Sequence, residues 1–393
     1  MGVINSLEFA MRFTGELDKK FAQKSATGFF LDNNLMSKFV GAKTVIIPDV
    51  DFVGLANYDR ANGFTTGAVT VSQESYTMKM DRARSMQIDR EDMDETGVAN
   101  LAGKIMGEYV RTKVVPECDA YVLSKLATLA KDRCNVVEGD INKPIAAFNE
   151  LVTSVQEVVG YDEELVAFVT SKIYAQIMNS TELTKQITVS DFKQGEINLP
   201  VKTINGVALI PVVSERMKTA YEFNIGDVGG FRPADTANET YMMVVPKSAA
   251  HLVKKCEKIR IFEPGQNIDA DAYKFDYRIY YDVFVKKSQL DSIWVWLSPE
   301  INITTQPTDK EVTAGNITGN LSVTATASAG TLTYQWYQAS DVAGNNPVKV
   351  KGATTKTLTI PTDLGAGEYF YFVKIIVDGM ASVISDVATV AVS

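Results

Sequence analysis

The chain contains few of the side chains on which most enzymes depend. It has one histidine, His251, and three cysteines in 393 residues. A histidine-based catalytic triad would rest wholly on His251, and a metal site with several histidine ligands is impossible. The sequence also lacks the glycine-rich loops that bind nucleotide phosphates and dinucleotides. We therefore predict a protein that is not an enzyme and that has no catalytic residue, cofactor or metal site.

Long apolar runs and a secretory pattern are missing as well. The longest apolar stretches, such as residues 207–213, fall far short of the roughly 20 residues of a membrane-spanning helix, so no membrane segment is predicted. The first 13 residues lack the basic start and the cleavage site of a secretory signal, and the chain is expected to stay where it is made. The cysteines, Cys118, Cys134 and Cys256, have no metal-like spacing and are expected to be reduced.

An excess of basic charge is absent too. The net charge is −9, from 39 basic and 48 acidic residues. Proteins that bind nucleic acid tightly need a basic surface for the phosphates, so any contact with DNA should be loose and independent of its sequence. The densest acidic cluster, residues 89–95, precedes a predicted helix. We interpret these carboxylates as favouring the positive end of the helix dipole, in preference to a cation site.

The most informative feature that is present is a long extended segment followed by a long helical one. Residues 66–89 are extended in character and mostly polar, and residues 95–130 carry apolar side chains at helical spacing. A two-stranded ribbon is only marginally stable by itself in water, so we expect it to lie on a neighbouring copy of the chain. Pro116 lacks a backbone donor, which predicts that the long helix bends or restarts there.

A compact α/β module is predicted next along the chain. Its first helix begins at Pro144 and is closed by Gly160, and a buried strand follows over residues 165–170. Ser171 is predicted to cap a short helix. The Asn-Gly pair at 205–206 lies between two strand-like runs and predicts a tight hairpin.

Two further elements are predicted before residue 300. A helix is expected over residues 248–258. Over residues 273–285, apolar side chains occupy every second position and charged ones lie between several of them. This alternation predicts a long strand with one face in a core.

The composition changes after residue 300. Threonine, alanine, glycine and valine dominate, and short alternating strands recur, which is typical of a separate all-β sandwich. Trp336 lies on the third predicted strand, and Tyr369 ends a glycine-rich corner. Residues 301–393 resemble a bacterial immunoglobulin-like domain in which Tyr371 stands at the position of the second cysteine. The resemblance implies that Trp336, Tyr369 and Tyr371 belong to its core.

The order of elements over residues 1–300 resembles the major capsid proteins of tailed bacteriophages, with the Hong Kong phage-type shell fold. The resemblance rests on this order of elements. It implies an α+β fold with an N-terminal arm (1–50), an extended β-ribbon loop (51–94), a spine helix with its peripheral region (95–140), a central capsomer module (141–257) and peripheral strands (258–300).

The same resemblance implies self-assembly. The expected product is an icosahedral shell of pentamers and hexamers that encloses double-stranded DNA, a virion component assembled in the cytoplasm of a bacterial host. A separate scaffolding protein and a portal are expected partners. The immunoglobulin-like domain is expected on the outer surface, where decoration or binding of a host-surface glycan is the implied role.

The ribbon supplies the candidate contacts to a neighbouring subunit, because exposed apolar side chains on a polar ribbon need a partner. These candidates are Tyr76, Met78, Met80, Arg82 and Arg84. Some members of the family join subunits through a Lys–Asn bond, but no acceptor for Lys79 can be identified and no such bond is predicted.

Two other classes remain as alternatives. An encapsulin-type nanocompartment shares the shell fold but stores cargo enzymes and normally lacks a C-terminal β-sandwich. A secreted adhesin or surface-layer protein would account for an immunoglobulin-like domain, but it would need an export signal.

Overall fold

The computed structural model describes residues 25–31, 39–40, 43–60, 63–64, 66–91, 101–180, 187–194, 197–223, 225, 229–234, 236–328, 330–377 and 381–393. Across these residues the chain is a mixed α and β protein, rich in strands with few helices, as the sequence predicts. The α-helices described are α1 (Leu101–Tyr109), α2 (Val115–Asp132), α3 (Pro144–Val159) and α4 (Ser171–Asn179).

The strands fall into two groups along the chain. Before residue 300 they are β1 (Phe39–Val40), β2 (Thr44–Phe52), β3 (Val69–Thr77), β4 (Met80–Asp89), β5 (Val136–Val137), β6 (Leu165–Thr170), β7 (Ile187–Gln194), β8 (Ile197–Ile204), β9 (Val207–Val212), β10 (Tyr221–Phe223), β11 (Phe231–Pro233), β12 (Thr240–Pro246), β13 (Ala250–Phe262), β14 (Ala272–Val285) and β15 (Trp294–Leu297). After it they are β16 (Ile301–Thr305), β17 (Lys310–Val312), β18 (Asn320–Ser322), β19 (Thr324–Ala327), β20 (Leu332–Ala339), β21 (Val348–Lys349), β22 (Thr357–Thr359), β23 (Gly367–Val377), β24 (Ala381–Ile384) and β25 (Ala388–Val392).

The largest sheet has seven strands in the order β5-β15-β12-β6-β9-β8-β7. Its central strand β6 reads LVAFVT and is buried on both faces, as expected of a continuous apolar run. Phe168 shares a core with α2 on one face, whereas Ala167 and Val169 share a second core with α3 on the other. One sheet therefore separates two helix-covered cores.

Several local predictions are confirmed in this module. Helix α3 spans Pro144–Val159, and Gly160 follows it with a φ of 82°, a value that favours glycine. Asn205 and Gly206 have φ values of 51° and 82° and form the tight turn between β8 and β9. The cap predicted for α4 is wrong, because the Ser171 hydroxyl donates to the carbonyl oxygen of Val212, at 3.3 Å.

A turn of different hydrogen bonding interrupts the long helix where α1 meets α2. The residues between them, Val110–Val114, form one turn of π-helix, and the N–H of Val115 donates to the carbonyl of Val110. Pro116 follows this turn and has no N–H of its own to donate, so the helical hydrogen-bond pattern changes just before the position where the sequence predicts a bend or restart. Residues 95–100 of the predicted helix lie outside the described residues.

The predicted ribbon over residues 66–89 does not pair with itself. Strand β3 pairs with β2 over its whole length, from Thr77 opposite Thr44 to Val69 opposite Phe52. Strand β4 pairs instead with β14, which also pairs with β13 to give a three-stranded sheet. Met78 and Lys79 link β3 to β4, and neither residue type favours the positive φ of a two-residue hairpin turn, so the chain passes from one sheet to the other.

The helix predicted over residues 248–258 is wrong, because this segment belongs to strand β13. It pairs with β14 from Ala250 opposite Val285 to Phe262 opposite Lys274. A shift of register between Lys254 and Cys256 interrupts the strand. A bulge of this kind breaks the alternation of side chains that indicates a strand, which hid β13 from the sequence pattern.

The pairing of strands also divides the chain differently from the predicted boundaries. Strand β15 lies in the seven-stranded sheet, between β5 and β12, although residues 258–300 were expected to form peripheral strands. Strand β13 begins inside the segment 141–257 that was expected to form the central module. Residues 1–24 of the expected N-terminal arm lie outside the described residues.

The C-terminal segment forms a β-structure with its own core. Strands β17, β25, β23, β20 and β21 follow one another in one sheet, with β24 on β23, and two short pairs, β16-β19 and β18-β22, complete it. Trp336 and Tyr371 are fully buried in this core, and the Trp336 indole N–H donates to the carbonyl of Thr355 at 2.9 Å. Tyr369 packs at the edge of the core, and its hydroxyl donates to the carbonyl of Gly365 at 3.2 Å.

Candidate intersubunit surface

The hairpin of β2 and β3 is anchored at the end where its strands leave the body of the chain. Val45, Ile47 and Met78 are buried there against Tyr280 and Phe284 of β14. The hydroxyl of Tyr76 has two acceptors within hydrogen-bond distance for its single proton, the carbonyl of Val285 at 2.9 Å and the Glu74 carboxylate. The base of the hairpin therefore packs on the outer face of the three-stranded sheet.

The other end of the hairpin exposes an apolar surface. Each strand has nine residues, so the hairpin is about 30 Å long. Large apolar side chains at its far end are open to solvent. We call them the tip cluster: Phe52, Val53, Leu55, Tyr58, Phe64, Val69 and Val71.

Two side chains of the tip cluster are almost completely exposed to solvent. The exposed fractions of Leu55 and Phe64 are 107% and 91%. The rings of Tyr58 and Phe64 lie 5.1 Å apart, edge to face. Such a group of apolar side chains at the end of an anchored arm is a surface that water disfavours and a partner would cover.

The sequence interpretation missed the tip cluster because the segment is rich in glycine, threonine and asparagine and has no periodicity. A signal was present nonetheless. Between residues 52 and 71 only Asp59 and Arg60 are charged, while five of the side chains are large and apolar or aromatic before residue 65. A long connection with few charges is unusual for a solvated loop.

Five residues of the ribbon were predicted to contact a neighbouring subunit because exposed apolar side chains need a partner. Two of them, Met78 and Met80, are not exposed. Their exposed fractions are 3% and 9%, and both pack within their own chain. Met78 lies under the hairpin base, and Met80 joins the core that α1 and α2 share with β14. Tyr76 is half-buried at the base. In the β2-β3 hairpin, the large apolar side chains that are exposed lie in the tip cluster instead.

Arg82 and Arg84 lie on β4, beside α2. The Arg82 guanidinium forms two hydrogen bonds with the Glu117 carboxylate, Nε to Oε1 at 2.6 Å and Nη2 to Oε2 at 3.3 Å. It also donates to the carbonyl of Gly230 at 3.3 Å and lies over the ring of Phe223, 5.8 Å from its centre. Arg82 therefore joins β4, α2 and the β10-β11 hairpin of one chain.

A buried carboxylate holds the beginning of the described chain against α2. Asp119 has no exposed side-chain surface and accepts hydrogen bonds from the hydroxyls of Ser25 and Thr27, at 2.6 and 2.8 Å. The N–H groups of Ala26 and Thr27 donate to it as well, and Arg216 lies 3.4 Å away. Burial is the largest influence on this group and raises its pKa, against the opposing effect of these hydrogen bonds.

Two further ion pairs involve strand β14. Asp81 on β4 accepts two hydrogen bonds from Arg278 on β14, at 2.9 and 2.6 Å, and this arginine lowers the pKa of the carboxyl. Lys125 of α2 pairs with the fully buried Asp282 of β14 at 2.6 Å. The first pair joins two strands of the three-stranded sheet, and the second joins that sheet to α2.

Helices that are both long and apolar enough to span a membrane do not occur in the described part of the chain.

The chain matches no protein-family model and no curated protein by sequence. Among solved structures it is similar to the capsid of the cyanophage P-SCSP1u, with 11% identity, a TM-score of 0.48 and coverage of 66% of this chain and 84% of the other. It is similar to a structure of Mycobacterium phage Che8, with 11% identity, a TM-score of 0.45 and coverage of 68% and 89%. It is also similar to a virus-like particle from Pyrococcus furiosus, with 11% identity, a TM-score of 0.42 and coverage of 74% and 100%.

Proposed function

We propose that this chain is the major shell protein of a tailed bacteriophage, which assembles through repeated copies of itself into a closed capsid around double-stranded DNA. The observation that carries the proposal is the anchored hairpin with its exposed tip cluster. A monomer gains nothing from about 30 Å of hairpin that ends in open apolar surface, whereas an array of identical copies can cover every tip with a neighbour.

The energies involved suit repeated assembly. Burying a leucine or phenylalanine side chain is worth about 1.5–3 kcal/mol, so covering Leu55, Tyr58 and Phe64 supplies a modest contact. A modest contact that recurs throughout a closed array holds the array together, because each subunit is bound at several places at once. The hairpin base stays packed in its own subunit, so the tip is presented at a defined position.

The charge of the chain is consistent with a wall around DNA. With a net charge of −9, the shell would enclose the nucleic acid with loose contacts only. In this proposal the virion is assembled in the cytoplasm of a bacterial host from pentamers and hexamers, with a separate scaffolding protein and a portal as partners.

We assign an immunoglobulin-like domain on the outer surface to residues 301–393. Support comes from the buried Trp336 and from the bond between the Tyr369 hydroxyl and the Gly365 carbonyl four residues upstream. Immunoglobulin domains place a tyrosine at such a corner, two positions before the second cysteine, and Tyr371 stands at that position here. Decoration of the shell or attachment to a host-surface glycan is the role that fits such a domain.

The second candidate is an encapsulin-type nanocompartment, which would use the same tip cluster for assembly but enclose enzymes. The C-terminal domain favours the phage capsid, since an encapsulin normally lacks it. Nuclease-protected DNA inside particles isolated from the native host supports the capsid, and an enclosed enzyme supports the nanocompartment.

The decisive experiment is negative-stain electron microscopy of the purified chain at high concentration, with no other viral protein added. We expect shells, tubes or rings that bear small outward knobs. The double variant Leu55→Ser and Phe64→Ser should abolish them, whereas Tyr161→Ser, which changes another exposed aromatic residue of the same chain, should not. Monomers of the wild-type chain under every condition, with or without a scaffolding protein, would refute the proposal.

A further inference from the structure

A cavity of about 1010 Å3 opens between β4, the π-helical turn of the long helix and the β10-β11 hairpin. Its walls carry apolar side chains, among them Met86, Phe231 and Ile279. We call it the basic groove, because the charged residues that line it are mainly cationic. They are Arg82, Arg84, Lys113, Arg216 and Arg232, against Glu117 and Glu215.

The charge of the basic groove is opposite to that of the whole chain. Five cationic and two anionic side chains line the groove, in a protein whose net charge is −9. Two of the cations have acidic partners outside the lining, Arg216 with Asp119 and Arg232 with Glu222, and the groove keeps an excess of positive charge when these partners are counted. Glu117 is engaged by Arg82, and the side chain of Lys113 has no acidic partner within the described ranges. A groove that is cationic and partly apolar fits a ligand that is acidic and carries an apolar side chain.

One exposed segment of the same chain has this combination of properties. Residues 263–271, the loop between β13 and β14, contain three acids, Glu263, Asp269 and Asp271, and no basic residue. Ile268 lies in the middle of this loop with its side chain 100% exposed. We call this segment the acidic loop. An isolated apolar side chain among carboxylates matches the apolar walls and the cationic lining of the groove.

The acidic loop does not line the groove of its own subunit. The lining reaches Tyr277 on β14 and Met86 on β4, and Met86 pairs with Phe275, three residues after the strand begins at Ala272. Because the loop lies outside the groove in its own chain, the occupant of this sequence is assigned to a second copy, in a contact between two different surfaces that can continue around a ring.

We infer that the basic groove of one subunit receives the acidic loop of a second copy of this chain, with Ile268 against the apolar wall and Asp271 and Glu263 facing Lys113 and Arg84. This inference rests on the proposed assembly into a shell. It assigns a second contact between subunits at a different place from the tip cluster. The tip contact is apolar, whereas this second contact is mainly electrostatic.

The first test is a charge exchange. Lys113→Glu and Asp271→Lys should each raise the protein concentration at which shells form, by about tenfold if each subunit loses roughly one such contact. The variant with both changes should assemble close to the wild-type concentration, a recovery that a folding defect cannot produce. Lys172→Glu, another exposed lysine outside the groove, is the matched control and should assemble normally.

The second test is a disulfide between subunits. In a chain with Cys134→Ser and Cys256→Ser, the pair Lys113→Cys and Ile268→Cys should give a ladder of covalent oligomers after oxidation of assembled shells. Each single cysteine should give no ladder. A link within one chain does not change its mass on a denaturing gel, so a ladder of oligomers reports only links between two copies.

The outcomes separate this inference from the proposed function. Wild-type shells with no ladder, together with no recovery in the charge-exchange variant, would overturn the inference and leave the capsid assignment standing. Groove variants that assemble normally but lose binding of added double-stranded DNA would overturn it in favour of a phosphate site. If the wild-type chain forms no assembly at all, the proposed function fails and the inference fails with it.

Discussion

Arg82 and Glu117 join the strand β4 to the helix α2 through two hydrogen bonds, at 2.6 and 3.3 Å, with little exposure of either side chain. The same guanidinium reaches the carbonyl of Gly230 on the β10-β11 hairpin. Because three separate segments meet at one cation, the position of the hairpin relative to the helix depends on this side chain. The contacts of Arg82 with Glu117 and Gly230 therefore hold one wall of the basic groove in position.

Replacing Arg82 with methionine should lower the free energy of unfolding by about 2–3 kcal/mol, because Glu117 would lose both hydrogen bonds in a mostly buried position. Urea unfolding followed by circular dichroism measures this change. Arg111→Met is the control, since its pair with Glu108 is exposed on one helix and its loss should have little effect. Equal stability of the two variants would contradict the importance given to the Arg82 pair.

Asp119→Ala should be among the most destabilising changes in the chain, at about 3–5 kcal/mol, because it leaves Arg216 and several buried donors without their acceptor. Thr27→Val removes a single hydrogen bond to the same carboxylate and should cost about 1 kcal/mol.

Hydrogen exchange distinguishes a local from a global effect of these two changes. In Thr27→Val, amides of residues 25–31 should exchange faster while those of β6 keep their protection. Unchanged exchange in residues 25–31 would show that Asp119 does not hold this segment.

The three cysteines should differ in reactivity with a thiol reagent at neutral pH. Cys134 is exposed and should react first, and Cys256 is half-buried and should react more slowly. Cys118 is fully buried, and burial raises the pKa of its thiol, so it should react only after the protein unfolds. Counting modified thiols by mass spectrometry, with Cys134→Ser as the control, would reveal any early modification of Cys118.

Tyr369→Phe should destabilise the C-terminal domain by about 1 kcal/mol, because the bond from its hydroxyl to the Gly365 carbonyl is lost while the ring stays packed. Trp336 fluorescence reports this domain, since Trp336 lies in its core, and a Trp294→Phe, Trp296→Phe background removes the other tryptophans. Tyr337→Phe keeps its stacking on Phe372 and is the matched control. An unshifted transition in Tyr369→Phe would argue against a tyrosine corner.

Local sequence decided the elements that depend on neighbouring residues only. The helix from Pro144 to Val159 has a proline at its start and a glycine after its end, and its apolar side chains recur at helical spacing. The turn at Asn205 and Gly206 needs two positive φ values, which asparagine and glycine adopt more readily than most residues. The long strand β14 follows directly from its alternation of side chains.

Tertiary structure decided which segments became partners. Whether β3 pairs with β4 or with β2 depends on the strand edges that distant parts of the chain supply. Similarly, residues 250–262 form the strand β13 because β14 pairs with them along their length, in spite of the bulge at Lys254. The burial of Met78 and the exposure of Leu55 follow from that choice of partners. Periodicity within a segment determines its local shape, but the pairing of distant edges sets which apolar side chains are left in water.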